Sequence, residues 1–269
     1  MFNGAKGNSI KIGHTEMEYI TFGKGEKILV IIPGLPDGLK TVKGTAKTMA
    51  LMYRRYAKEY RVYVFSRKNQ LENGYTTRDM ARDLKEAMDQ LGITRAYVKG
   101  LSQGGMIAQY LAIDYPEVVE KLIIAVSMAK QNDTIQQVVQ GWITMAEKGD
   151  YKSFIIDSME KTYTEDYLTR KKYRWMYPLI TRIGKPKDFT RFIIQARACL
   201  SHNAYEELGK IQCPTLVIGG DRDKVVGINT SEEMAEEIPG SKLVIYPNLG
   251  HGAFTETKDF DRQALKFLS

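Results

Sequence analysis

The stretch Ala96-Tyr97-Val98-Lys99-Gly100-Leu101-Ser102-Gln103-Gly104-Gly105-Met106-Ile107-Ala108-Gln109-Tyr110 decides the fold. Its first residues, Ala96–Lys99, read as a short buried strand. From Gln103 to Tyr115 the pattern reads as a helix. Between them lies Gly100-Leu101-Ser102-Gln103-Gly104, a G-x-S-x-G string. A strand that runs into a helix through this string is the setting of a nucleophile elbow, with the serine on a sharp turn at the strand's carboxyl end. Small residues on either side let the backbone fold tightly around it. Glycine-rich turns of this kind also cradle phosphates. No lysine follows these glycines as a P-loop requires, and G-x-G-x-x-G is absent.

Working outward, five more apolar, branched runs read as strands: Lys27–Ile32, Arg61–Phe65, Lys121–Val126, Thr215–Ile218 and Lys242–Tyr246. Helix-period segments separate them. Thr77–Leu91 places Met80, Leu84, Met88 and Leu91 on one face. Ser231–Ile238 is a further helix, and Thr41–Tyr60 a longer, weaker one. Strands alternating with helices imply an α/β fold, a mostly parallel sheet with helices on both faces. Ahead of it, Ser9–Phe22 alternates over two runs around Gly13-His14, as an antiparallel hairpin does. Residues 128–205 break the alternation with aromatic, basic, helix-like sequence. They read as a helical cap inserted between the fifth parallel strand and the sixth, with the core formed by residues 1–127 and 206–269.

A serine hydroxyl needs a base to become a nucleophile. The chain has only three histidines, His14, His202 and His251. His251 follows the last strand run, in Asn248-Leu249-Gly250-His251-Gly252. Strand carboxyl ends of a parallel sheet open on one edge, so His251 can meet Ser102 there. His14 falls in the hairpin and His202 near the end of the insertion, so both read first as structural, though an insertion can fold over the site and His202 stays open as a base. An acid should orient the base. Asp221 and Asp223, in Gly219-Gly220-Asp221-Arg222-Asp223, both lie on the correct edge.

Strand, G-x-S-x-G, helix, insertion, strand, G-x-x-D, strand and Gly-His, in this order, resembles the cap-bearing branch of the α/β-hydrolase superfamily. The resemblance covers about residues 16–268 and is weakest across the insertion. It implies an α/β-hydrolase fold and the triad order Ser102, Asp223, His251, since the family's acid closes G-x-x-D and maps onto Asp223. It also implies two backbone donors for an oxyanion: Leu35, which follows the first central strand's glycine, and Gln103, which follows the nucleophile. Between Pro33 and Pro36 only Gly34 and Leu35 have an N–H to give. Two departures stand out. The family's His-Gly reads Pro33-Gly34 here, which leaves Asp37 as a candidate brace for the loop. The family's Asp-x-Arg-Gly-x-Gly reads Ser66-Arg67-Lys68-Asn69, with Arg67 in the place of the structural arginine.

The expected activity is a cofactor-independent serine hydrolase that cleaves an ester, thioester or lactone of a small molecule through an acyl-enzyme. A carbon–carbon hydrolase, perhydrolase or acyltransferase would use the same triad, and a small-molecule receptor the same fold. Aspartate-nucleophile relatives, such as epoxide hydrolases, are disfavoured by Ser102. No metal or cofactor is called for. The net charge of +7 permits a nucleic-acid role, but no motif supports one. The longest uncharged run, Gly100–Ile113, is too short and polar for a membrane span, and no signal peptide is expected at Met1–Lys6. Two cysteines, Cys199 and Cys213, make no disulfide framework, so a cytoplasmic location is expected. Nine basic residues against Asp188 alone fill Arg170–Arg197. They read as an entrance that attracts an anionic acyl substrate or, the commoner fate of a charge run, as a solvated face paired with acids.

Overall fold

In the computed structural model, which describes residues 4–269, the branched apolar runs become strands. They are β1 (Lys6–Ile12), β2 (Thr15–Phe22), β3 (Lys27–Ile32), β4 (Tyr60–Lys68), β5 (Ala96–Leu101), β6 (Val119–Ala125), β7 (Thr215–Gly220) and β8 (Lys242–Tyr246). They form one sheet in the order β1-β2-β4-β3-β5-β6-β7-β8. The hairpin β1–β2 is antiparallel, and β2 joins β4 antiparallel; every pairing from β4 to β8 is parallel. Gly13 turns the hairpin at φ 58°, a conformation that suits a residue without a Cβ.

The helices are α1 (Ala46–Met52), α2 (Thr77–Gln90), α3 (Gln103–Asp114), α4 (Asp133–Glu147), α5 (Tyr151–Thr162), α6 (Glu165–Arg170), α7 (Tyr173–Ile180), α8 (Thr190–Leu200), α9 (Thr230–Glu237), α10 (Ala253–Glu256) and α11 (Asp259–Leu268), with α2 and α3 on one face of the sheet and α1 and α11 on the other. Side chains alternate across a strand, and β3 divides accordingly. Val30 and Ile32 join Met80, Leu84, Ile107 and Leu111 of α2 and α3. Leu29 and Ile31 join Ala50 of α1 and Phe260, Ala264 and Leu268 of α11. A third cluster ties Leu35 and Met106 to Ile135, Val139 and Trp142 of α4 and Phe192 and Ala196 of α8. Among the described residues no helix is long and apolar enough to cross a membrane.

Two local expectations need correction. The helical segment follows the fourth parallel strand, β6, not the fifth, because both strands of the N-terminal hairpin run antiparallel to their neighbours. The long helix expected over Thr41–Tyr60 is only α1 and a 3-10 turn at Tyr56–Lys58. Gly44, at φ 74°, starts it late. Downstream, Tyr56 is drawn into the core, where its hydroxyl donates to Asp261 at 2.8 Å and accepts from Lys99 Nζ at 2.7 Å.

Candidate active site

Ser102 stands between β5 and α3 with φ 54° and ψ −119°, a backbone that L-residues adopt only under strain of about 1–3 kcal/mol. The surroundings hold it there. Ser102 N–H donates to Ala125 O at 2.8 Å, and Ser102 O accepts from Ser127 Oγ and Gly105 N, both at 2.8 Å. The turn has no room for side chains. A Cβ on Gly100 would lie 2.3 Å from Gly104 O, and one on Gly104 would lie 2.0 Å from Ile32 O. The glycines are therefore required by close backbone contact with the next turn and with β3.

The loop after β8 brings His251 to this turn. His251 Nε2 lies 3.0 Å from Ser102 Oγ, and Nδ1 lies 2.8 Å from Asp223 Oδ2. A carboxylate only accepts, so Nδ1 carries the proton and Nε2 is free to accept from the serine. Asp223 is buried, and its other oxygen accepts from Val225 N at 2.8 Å and Val226 N at 3.0 Å. Its orientation is thus fixed by the backbone. Asp221, the other candidate, is exposed and accepts from Asn248 N at 2.7 Å. It braces the loop that carries His251 instead of touching the ring. The remaining histidines lie elsewhere. His14 is exposed in the β1–β2 turn. His202 is buried between Thr77 Oγ1 and Gln109 Oε1, and burial pushes its pKa down to about 3.

Leu35 opens a 3-10 turn, Leu35–Gly38, and Gln103 opens α3. Each N–H is in a first turn, where no intrahelical carbonyl can take it. Gly34 holds the two turns together: a Cβ there would stand 3.3 Å from Ser102 Cβ. Beneath this arrangement is a buried polar network. Arg67 Nη2 donates to Gln103 Oε1 at 2.8 Å and also to Pro33 O. Asp37 Oδ2 accepts from Arg67 N at 3.1 Å and from Arg191 Nη2 at 2.7 Å. Arg191 further donates to Asp37 O, and to Arg67 O at 2.8 Å. Gln103 Nε2 donates to Gln195 O at 2.8 Å and Cys199 Sγ at 3.1 Å. Burial alone would raise the Asp37 pKa, but Arg191 and Arg67 more than offset it and hold the carboxyl below its ordinary range. Burial pushes the Cys199 thiol up to about 12.

Asp37 and Arg67 were legible as brace and structural arginine, whereas Arg191 and Gln195 were not. Arg191 reads in sequence as one more cation of the basic run. The signal that could have found it is its spacing: Arg191 and Gln195 are polar at i, i+4 beside the buried Phe192 and Ala196 of α8. Of the other basic residues in that run, Arg170 pairs with Asp166, Arg174 with Glu160 and Glu165, and Arg197 with Glu147. None of the nine lines the cavity described next.

Ser102 and His251 open into a cavity of about 530 Å³. Its wall is largely apolar, with Leu35, Met106, Ile135, Val139, Trp142, Phe154, Phe192 and Phe254, and Lys40 is its only lysine or arginine. Among the described residues no group of three or more His, Cys, Asp or Glu side chains is placed to hold a metal ion.

Residues 27–257 match the family described as alpha/beta hydrolase fold. A 2-hydroxy-6-oxononadienedioate/2-hydroxy-6-oxononatrienedioate hydrolase from a Pseudomonas species is 28% identical over 70% of this chain and 68% of its own. The mouse serine hydrolase BPHL is 24% identical over 96% of this chain and 85% of its own. The crystal structure of an enol-lactonase from Burkholderia xenovorans LB400 superposes with a TM-score of 0.82 at 21% identity, covering 97% of this chain and 99% of its own.

Proposed function

The chain belongs to the alpha/beta hydrolase fold family, and on that premise we propose that it is a serine hydrolase acting on a small ester or lactone with an apolar acyl part. The observation that carries this reading is the hydrogen-bonded series Ser102–His251–Asp223 at the floor of an apolar cavity. His251 Nε2 takes the Ser102 proton as Oγ attacks the carbonyl carbon. Asp223 keeps the imidazole in the required tautomer and stabilises the imidazolium. The Leu35 and Gln103 amides stabilise the oxyanion. His251 then protonates the leaving oxygen, and the acyl-enzyme remains. A water attacks it in turn, with His251 as base, and Ser102 is regenerated. Every step uses groups of this chain, the substrate and one water. Residues 128–205, as a cap over the carboxyl edge of the sheet, would wall the substrate off from solvent.

Carbon–carbon bond hydrolysis is the second reading, favoured by the 28%-identical dioate hydrolase. The cavity argues for the ester. A dioate brings two carboxylates, and Lys40 is the only lysine or arginine at the wall. The cations of the buried network beneath the site are already engaged, Arg191 with Asp37 and Arg67 with Gln103. A thioester is accommodated by the same chemistry.

The test is a panel of acyl esters, thioesters, lactones and dienoate ketones offered to wild type and Ser102→Ala, together with labelling by a fluorophosphonate. Wild type should label at Ser102 and turn over apolar acyl esters. Ser102→Ala should not label and should lose kcat by on the order of 10³–10⁶-fold. Near-wild-type turnover by Ser102→Ala would sink the mechanism. Binding of the panel with neither labelling nor turnover would make the protein a receptor.

A further inference from the structure

We propose that α7 and the turn after it form a docking surface for an anionic lipid bilayer. Trp175, Leu179 and Ile183 recur at every fourth position and stand exposed at 83%, 57% and 62%. Residues four apart share one face of a helix, so Trp175 and Leu179 stand together on α7, and Ile183 extends this exposed apolar ridge into the turn just past the helix's end. Large apolar side chains exposed in a row on a folded domain mark a contact surface. The rest of this helix is well anchored. Tyr177 hydroxyl donates to Glu160 of α5 at 2.8 Å, and Tyr173 stacks on Tyr163 with centroids 5.9 Å apart. The ridge is therefore the outward face of a fixed element.

Charge selects the occupant. Residues 171–187 contain no acid. Lys171, Lys172, Arg182, Lys185 and Lys187 flank the ridge, and none has a carboxylate within ion-pair distance among the described residues. Five cations bordering a Trp-Leu-Ile ridge match the chemistry of an interfacial helix, with the apolar face among acyl chains and the cations at anionic headgroups. A second copy of this chain is a poor match, because it would set the same five cations against each other on proteins of net charge +7. Tyr173 of the same helix stacks on Tyr163, which lines the cavity, so a docked bilayer would lie near the cavity wall.

Trp142 is buried and donates to Asp157 at 2.7 Å, so of the two tryptophans Trp175 is the reporter. The full chain is mixed with phosphatidylcholine vesicles with and without phosphatidylglycerol, and sedimentation and tryptophan emission are recorded. The expected result is co-sedimentation and a blue shift with the anionic vesicles only, declining between roughly 0.05 and 0.5 M salt as the charges are screened. Each cation near such a surface strengthens binding about fivefold, so Lys185→Gln with Lys187→Gln should weaken it about 25-fold. Trp175→Ala should weaken it and abolish the blue shift. Both variants should keep the wild-type circular dichroism and the wild-type turnover of a water-soluble ester, which separates this proposal from the catalytic one. Absence of binding to anionic vesicles overturns it. So do equal binding to pure phosphatidylcholine, indifference to the lysine changes, and a dimer in solution that Trp175→Ala dissolves.

Discussion

Replacing Arg191 with Met tests whether the buried network under the Leu35–Gly38 turn is what positions the Leu35 amide. Arg191 donates to the Asp37 carboxylate, to Asp37 O and to Arg67 O, and reaches Lys68 O at 3.3 Å. Breaking a buried ion pair by deleting one partner costs about 3–5 kcal/mol. Two features move this case to the lower end. The Arg191 side chain keeps some exposure, and Asp37 retains Arg67, whose Nη1 stands 3.9 Å away. A loss of about 2–3 kcal/mol follows, and at roughly 2 °C per kcal/mol for a chain of this size the melting temperature should fall by about 5 °C. Deleting one oxyanion donor outright costs about 10²–10³ in kcat. A donor that is loosened but present should cost nearer tenfold, with KM for p-nitrophenyl butyrate moving less than kcat. Asp37→Asn and the double variant complete a cycle. Because the penalty is a stranded carboxylate, the two changes together should cost at least about 1 kcal/mol less than their sum. Calorimetry and steady-state kinetics on the four proteins read both quantities. Wild-type melting and wild-type kcat in Arg191→Met, or additivity in the cycle, would refute the reasoning.

Asp223→Asn should cost at least about 10³-fold in kcat, since it removes the acceptor that sets the His251 tautomer, whereas Asp221→Asn should leave most of the activity; the reverse ranking in a p-nitrophenyl ester assay would move the acid. His202 has its folded pKa at about 3 against about 6.5 unfolded, so below pH 6.5 the unfolded chain takes up a proton that the folded one refuses, and stability falls as pH falls from 6.5 towards 3. By pH 5 the loss is roughly 2 kcal/mol, and urea denaturation at pH 7 and pH 5 should show His202→Gln to lack that part of the decline; equal declines in the two proteins count against it.

The sheet was legible because its signals are local. Runs such as Lys27–Ile32 and Lys242–Tyr246 have the length and branching of buried strands, and β3 and β8 have those bounds. The elbow was legible because one turn imposes glycine at Gly100 and Gly104 through contacts of about 2 Å, which few other sequences satisfy. The choice between Asp221 and Asp223 could not be made from residue type, since both follow β7. It depends on which carboxylate the turn at Val225-Val226 presents to His251. The Arg191–Asp37 contact was not legible, because it joins positions 154 residues apart through a helix whose place on the sheet edge no local pattern encodes. Nor was the end of α1, where a weak helix yields to the burial of Tyr56.

Helix α8 lies between β6 and β7 in the chain and packs both on α4 and on the turn that follows β3. It grips the elbow through Gln103 and the opposite turn through Asp37, and Gly38 approaches it so closely that a Cβ would come within 2.7 Å of the Phe192 backbone. Anyone building chimaeras by exchanging the segment with that of a relative therefore faces an unequal pair of junctions. The upstream cut falls naturally where the chain leaves β6. A downstream cut at residue 205, where the chain heads back to the sheet, would carry off Arg191 and Gln195 and leave Asp37 and Gln103 facing a foreign helix. Cutting before Thr190 keeps those contacts with the sheet that needs them, so the exchangeable unit is shorter than the inserted one.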